Sequence, residues 1–307
     1  MGLGLDLTAR VGSISLPNPV MTASGTGGHG AELARFMDLG ALGAVVVKSL
    51  SVDPCAGNAP PRLAQTTVGM INSVGLEGPG IAAWLTEDLP ALAATGARVV
   101  VSIWGRTIED FAMAATMLAG APSAVVAIEV NISCPNLADN HRMFSQSASA
   151  TAQVIEATRS AGLPRWAKLS PNVTDLVEVA GAALEAGAEA LTLTNTMPGL
   201  VIDTESRSPV LGGGGGGLSG PALHPIAVRA VYQCRAAFPR AAIVGVGGVA
   251  RGSDAVEMAL AGASAVQVGT ASFSDPRAAA RVLAGIEQWC LDHRIVRWAD
   301  LTGGAHG

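Results

Sequence analysis

The chain has 307 residues, 49% of them hydrophobic and 14% charged, which is apolar surface enough for a large buried core. A net charge of −5, a pI near 5.5 and the lack of any Lys/Arg run argue against nucleic acid or an anionic membrane surface as a partner. Four scattered cysteines without a Cys-x-x-Cys pair, and five histidines without a His-Glu-x-x-His pattern, argue against a zinc or iron–sulfur site in this chain and fit a reducing cytoplasm.

The N-terminus lacks a basic region followed by an apolar one, so no signal peptide is expected. Residues 7–16 alternate weakly and predict a small hairpin under a barrel floor. Eight short runs rich in Val, Ile, Leu and Ala then predict strands starting near Pro19, Ala44, Arg98, Ala124, Arg165, Ala190, Ala242 and Ala265. Helical patterns fall between them at 31–39, 81–94, 108–118, 150–161, 176–186, 221–236 and 253–261, and a last helix at 276–290. Strict alternation with eight near-continuous apolar strands predicts an α/β fold, a (β/α)₈ TIM barrel forming one domain over 1–307. A doubly wound open sheet is the alternative; the Gly-rich turn after Ser24 lacks the acidic residue that such a sheet carries at the end of strand two. Four of the seven steps between strand starts are about 25 residues and three are about 41–54, and the surplus follows strands two, four and six. All three insertions (50–78, 134–148 and 196–220) therefore belong to βα loops on the C-terminal face, where barrels build active sites. The run of glycines at 212–217 reads as a flexible loop, too short to separate domains. Uncharged stretches at 111–128 and 258–274 are broken by Gly and Pro and read as helix–turn–strand, not as membrane spans.

Strand alternation selects the inward side chains. If Asn131 faces the barrel centre, so do Glu129 and Ser133, and Lys48, Lys168 and Asn195 crown the mouth with Cys134 just beyond. A lone Cys before Pro135 reads first as a structural thiol. Here Asn131 and Asn136 flank it at a strand's end, and a thiolate can act as base or nucleophile near neutral pH. Lys168 needs a partner if buried, and Glu129 on the adjacent strand is available for an ion pair, which is compatible with a role in chemistry. The turns Gly245-Val246-Gly247-Gly248 and Val268-Gly269-Thr270 end strands seven and eight, the usual place for a phosphate cradle in such barrels. Asn72-Ser73-Val74-Gly75-Leu76 and the preceding Gly57-to-Arg62 segment could by themselves be an ordinary solvent loop.

Together, Asn131-Ile132-Ser133-Cys134-Pro135-Asn136, Lys168-Leu169-Ser170-Pro171-Asn172, Asn195-Thr196 with Ile202-Asp203, and Gly217-Leu218-Ser219-Gly220 resemble dihydroorotate dehydrogenase of class 1, most of all the NAD-linked (type B) catalytic subunit. The resemblance runs from about residue 7 to residue 290 with the motifs in the same order. It implies oxidation of dihydroorotate to orotate in pyrimidine biosynthesis, with FMN in the barrel mouth. Its phosphate would lie on Gly247, Gly248, Gly269 and Thr270, with Ser24, Lys48, Ser49, Ser102, Asn131, Lys168, Thr194 and Gly220 as further flavin contacts. Lys48, Asn72, Ser73, Val74, Gly75, Leu76, Asn131, Asn195 and Thr196 match the pyrimidine site, and Cys134 matches the catalytic base, with Lys48 beside it. It also implies a separate electron-transfer subunit carrying FAD and a 2Fe-2S cluster, around a homodimer core within a heterotetramer. Three positions differ from the family pattern: Ser102 stands where an Asn is usual, residues 141–145 replace a Gly-Gly and Phe-Gly loop, and 212–217 is all glycine. A fumarate-linked dihydroorotate dehydrogenase, a dihydropyrimidine-type flavoenzyme and a non-catalytic barrel binding a phosphorylated metabolite are the alternatives.

Overall fold

The computed structural model describes residues 4–133 and 143–307. Eight parallel strands form the central sheet: β1 Val20–Thr22, β2 Val45–Val46, β3 Val99–Ile103, β4 Val125–Asn131, β5 Arg165–Leu169, β6 Ala190–Leu193, β7 Ala242–Val246 and β8 Ala265–Val268. Their order is β1-β8-β7-β6-β5-β4-β3-β2, and a parallel bridge from Met21 to Ala44 joins the two ends, so the sheet closes into a (β/α)₈ barrel. The strands are Val- and Ile-rich on both faces because helices cover one face and the packed interior the other, and all five residues of β3 are buried. Each predicted strand lies within a residue or so of its expected start.

The helices differ from expectation in two places. Residues 31–39 form only the 3₁₀ turn Glu32–Arg35, because Ala31 offers no capping oxygen and the Glu32 carboxylate instead accepts from the N–H groups of His29 and Gly30. The helix expected over 81–94 breaks at Asp88 into Ile81–Glu87 and Leu89–Ala94, since Pro90 cannot continue the hydrogen-bond ladder. The N-terminal hairpin is present as Ala9–Val11 against Ile14–Leu16. The Ser13 N–H donates to Glu189, just ahead of β6, which sets the hairpin at the N-terminal end of the barrel.

On the opposite end, the insertions after β2 and β6 combine. The hairpin Leu63–Thr66 and Gly69–Asn72 pairs with Gly216–Ser219, which pairs with Met197–Gly199, giving one four-stranded antiparallel sheet over the mouth. The glycine run, expected to be a loose loop, thus ends inside a strand. A Cβ at Gly216 would overlap the Asn72 carbonyl, one at Gly217 the Thr196 side chain, and one at Gly212 the Ala59 carbonyl. The glycines serve close backbone approach, not slack. Among the described residues, no helix is long and apolar enough to cross a membrane.

Candidate active site

The strands' C-terminal ends and the inserted sheet enclose a cavity of about 440 Å³. That is within the range of small-molecule sites. From β2 come Lys48 and Ser49, from β4 Asn131 and Ser133, from β5 Lys168, and from β6 Thr194, Asn195 and Thr196. Ser24 enters from the turn after β1, Asn72, Ser73, Val74, Gly75 and Leu76 from the first insertion, and Gly220, Gly247, Gly248, Gly269 and Thr270 from the later turns. Cys134 and Asn136 lie outside the described residues, although Cys134 is bonded directly to the cavity-lining Ser133.

Ser102 differs from the expectation that it contacts a cofactor. It is fully buried and does not line the cavity, because its short side chain stops behind Ser49. Its hydroxyl pairs with that of Ser49 at 2.8 Å, and Ser49 with Ser24 at 3.0 Å, a chain of three hydroxyls behind one wall. The Asn131 amide reaches the Ser49 hydroxyl at 3.4 Å, while its carbonyl oxygen accepts from Asn195 at 3.2 Å and from the Ser133 N–H at 3.3 Å. The two carboxamides are thus oriented by fixed neighbours before any ligand arrives.

The Asn72-to-Leu76 turn is held from outside by the segment that precedes it. Asn58 donates from its backbone to Val74 and from its amide to the Ser73 hydroxyl at 2.8 Å, and the Ser73 N–H donates to the Arg62 carbonyl. Arg62 in turn donates to the carbonyls of Ala56 and Asn58 and pairs with Glu77. So the Gly57-to-Arg62 segment braces the turn. Gly75 and the non-glycine Leu76 both adopt positive φ, 74° and 61°, a left-handed pair that Leu enters only under constraint.

Among the described residues lining the cavity, the titratable side chains are two lysines. Burial holds the Lys48 ammonium below its usual pKa, and repulsion from Lys168 adds to the effect. Lys168 is buried and paired to Glu129 at 3.3 Å. Cys55 does not line the cavity, and the Cys234 thiol is buried under the helices and pushed up to about 12. Several lining residues were not among the expected contacts, Met70, Phe273 and Ser219 among them. Ser219 had a signal, since it stands within the motif Gly217-Leu218-Ser219-Gly220; its hydroxyl accepts from Thr270 at 2.8 Å, linking the β6 insertion to the β8 turn. Met70 and Phe273 carry no local signal. Among the described residues no group of three His, Cys, Asp or Glu side chains could hold a metal ion.

Residues 6–290 match the family model described as dihydroorotate dehydrogenase. The chain is similar to the dihydroorotate dehydrogenase B (NAD(+)) catalytic subunit of Citrifermentans bemidjiense, 46% identical over 97% of each chain. It is also similar to the proteins of the same name from Pelobacter propionicus, 46% identical over 97% of this chain and 98% of that one, and Desulforudis audaxviator, 48% identical over 96% of each.

Proposed function

This chain belongs to the dihydroorotate dehydrogenase family, and from that premise we propose that it oxidises dihydroorotate to orotate in de novo pyrimidine (UMP) biosynthesis, with FMN in the barrel mouth. The observation that carries the reading is the convergence of Asn72, Asn131, Asn195 and Lys48, from three strand ends and one insertion, on one cavity above Lys168. Carboxamides offer donors and acceptors together, which suits the imide edge of a pyrimidine, and Lys48 suits its carboxylate.

Two features of the cavity support FMN as the resident group. The Thr194 hydroxyl is buried and has no hydrogen-bond partner among the described residues, a donor left for a ligand. Gly247, Gly248 and Gly220 have φ of 137°, 70° and 94°, so the walls there are backbone, and a phosphate could approach closely. Ser24, Ser49, Asn131, Lys168, Gly269 and Thr270 complete the residues that would hold the group. When bound, FMN would take up the hydride that leaves C6 of the substrate. Cys134 would take the proton from C5, so that the carbon–carbon double bond forms as both depart. Asn131 and Asn195 would hold the ring in place during this transfer, and Lys168 would supply positive charge to stabilise the reduced flavin.

Anaerobic mixing with dihydroorotate tests the reading. The flavin absorbance should bleach with dihydroorotate and persist with dihydrouracil. Bleaching by dihydrouracil would assign a dihydropyrimidine-type enzyme, and a colourless protein would point to a non-catalytic barrel.

Lys48→Ala should weaken orotate binding about tenfold to a hundredfold, the usual value of one hydrogen bond to a charged group. FMN retention should change less, because many other groups share that task. Since Lys48 titrates below the ordinary lysine value of 10.5, the wild-type orotate affinity should begin to fall below that pH as the ammonium is lost. Calorimetric titration of both proteins across pH checks the pair of outcomes; equal affinity in the variant would remove Lys48 from the substrate site.

The relatives are named as catalytic subunits, which supports a separate electron-transfer subunit, here one carrying FAD and a 2Fe-2S cluster around a homodimer core in a heterotetramer. Val68, Leu63 and Phe273 are exposed apolar side chains at the rim of a second cavity that shares Gly248 and Thr270 with the first, a surface fit for a protein partner near the cofactor. A cytoplasmic location is supported by the free thiols of Cys55, Cys234 and Cys290.

A further inference from the structure

Glu129 is a fully buried carboxylate at the centre of the barrel, and the chemistry above assigns it no task. It projects inward from β4. One oxygen accepts from Lys168 Nζ at 3.3 Å and the other from Gln267 Nε2 at 2.6 Å. In the ring of eight strands, β4 and β8 stand opposite each other, so the Gln267 amide crosses the barrel interior to reach it. A carboxylate only accepts hydrogen bonds, which fixes the amide with its nitrogen toward Glu129. The Gln267 carbonyl oxygen is consequently left buried without a partner among the described residues. A buried ion pair is weak support for stability, because well-packed apolar residues commonly serve as well. The charge of Lys168 also reaches beyond the pair, since it helps to lower the pKa of Lys48 at the mouth. How much of that charge the cavity feels depends on the carboxylate beside it.

We propose that Glu129 is a positioning residue for Lys168. Anchored by Gln267 from across the barrel, it fixes where the ammonium stands and cancels part of its charge. It thereby holds the reduction potential of the bound cofactor below the value that an unpaired Lys168 would set. The sign follows from electrostatics: a cation stabilises the cofactor form that carries the added electrons, and an adjacent anion offsets that stabilisation. The proposal rests on the flavin reading above.

The test begins with the FMN content of the purified wild-type chain, measured after denaturation. Absence of FMN would overturn the flavin reading and this proposal together. With FMN present, the midpoint potential is titrated anaerobically against reference dyes. Glu129→Gln keeps the shape and removes the charge, and should shift the potential upward. The same substitution in a Lys168→Met background should produce a smaller shift, because only the direct effect of the charge remains once Lys168 is gone. An unchanged potential in the single variant, or an equal shift in both backgrounds, would overturn the proposal with the flavin reading intact. Should Glu129→Gln fail to fold, Gln267→Leu retains both charges and releases the carboxylate from its cross-barrel donor. More of the negative charge then falls on Lys168, and the potential should drop; no change in this variant would also overturn the proposal.

Discussion

Cys134→Ala should retain FMN yet reduce it with dihydroorotate about 10²–10⁴-fold more slowly than the wild-type chain, the usual contribution of a general base. The structure narrows the candidates for that base. Among the described lining residues there is no carboxylate and no imidazole, only Lys48 and Lys168. An ammonium group is a poor base at neutral pH, and Lys168 is further engaged with Glu129. Of the described thiols, Cys234 and Cys290 are buried, and Cys55 lies outside the cavity with its sulfur directed at the Gly75 carbonyl. The residue that follows Ser133 is a thiol whose ordinary pKa lies within about two units of neutral pH. Stopped-flow bleaching of the flavin measures the effect directly, and the wild-type rate should rise with pH as the thiol ionises. A rate near wild type in the Ala variant would remove Cys134 from the mechanism.

The second large effect concerns the route of the electrons. The isolated chain should bleach its flavin with dihydroorotate but form NADH on the order of 10²-fold more slowly, or less, since hydride transfer needs the reacting atoms within about 3.5 Å. A cavity of about 440 Å³ is near the lower end for ligand sites, and were FMN and a pyrimidine to share it, no berth would remain for a dinucleotide. Adding the electron-transfer subunit should restore NAD⁺ reduction to the pace of flavin bleaching. Steady-state NADH production by this chain alone at that pace would remove the need for a partner. Rapid turnover with fumarate would instead assign the fumarate-linked branch.

The barrel was legible from the sequence by itself because its signals are local. Runs such as Val99–Ile103 and Val125–Asn131 are buried on both faces, so their apolar continuity survives in one dimension, and eight such runs with helices between them admit few topologies. Strand alternation likewise placed Asn131, Lys168 and Asn195 at the mouth, and chain spacing located the insertions after strands two and six on the same face. Local pattern failed where a competing group decided the outcome, as with Glu32 drawn to the loop N–H groups ahead of it and Pro90 dividing a helix.

What joins distant segments was decided only by the tertiary structure. No periodicity shows that the hairpin Leu63–Asn72 and the strand Gly216–Ser219 share a sheet, since the pairing depends on backbone approach that glycine merely permits. Ser102 illustrates the same limit, for its position in the strand was clear while its length left it behind Ser49. Glu129 was visible as a partner for Lys168 because adjacent strands carry them. Gln267 was not, because alternation tells which face a side chain takes and closure alone tells what stands across from it.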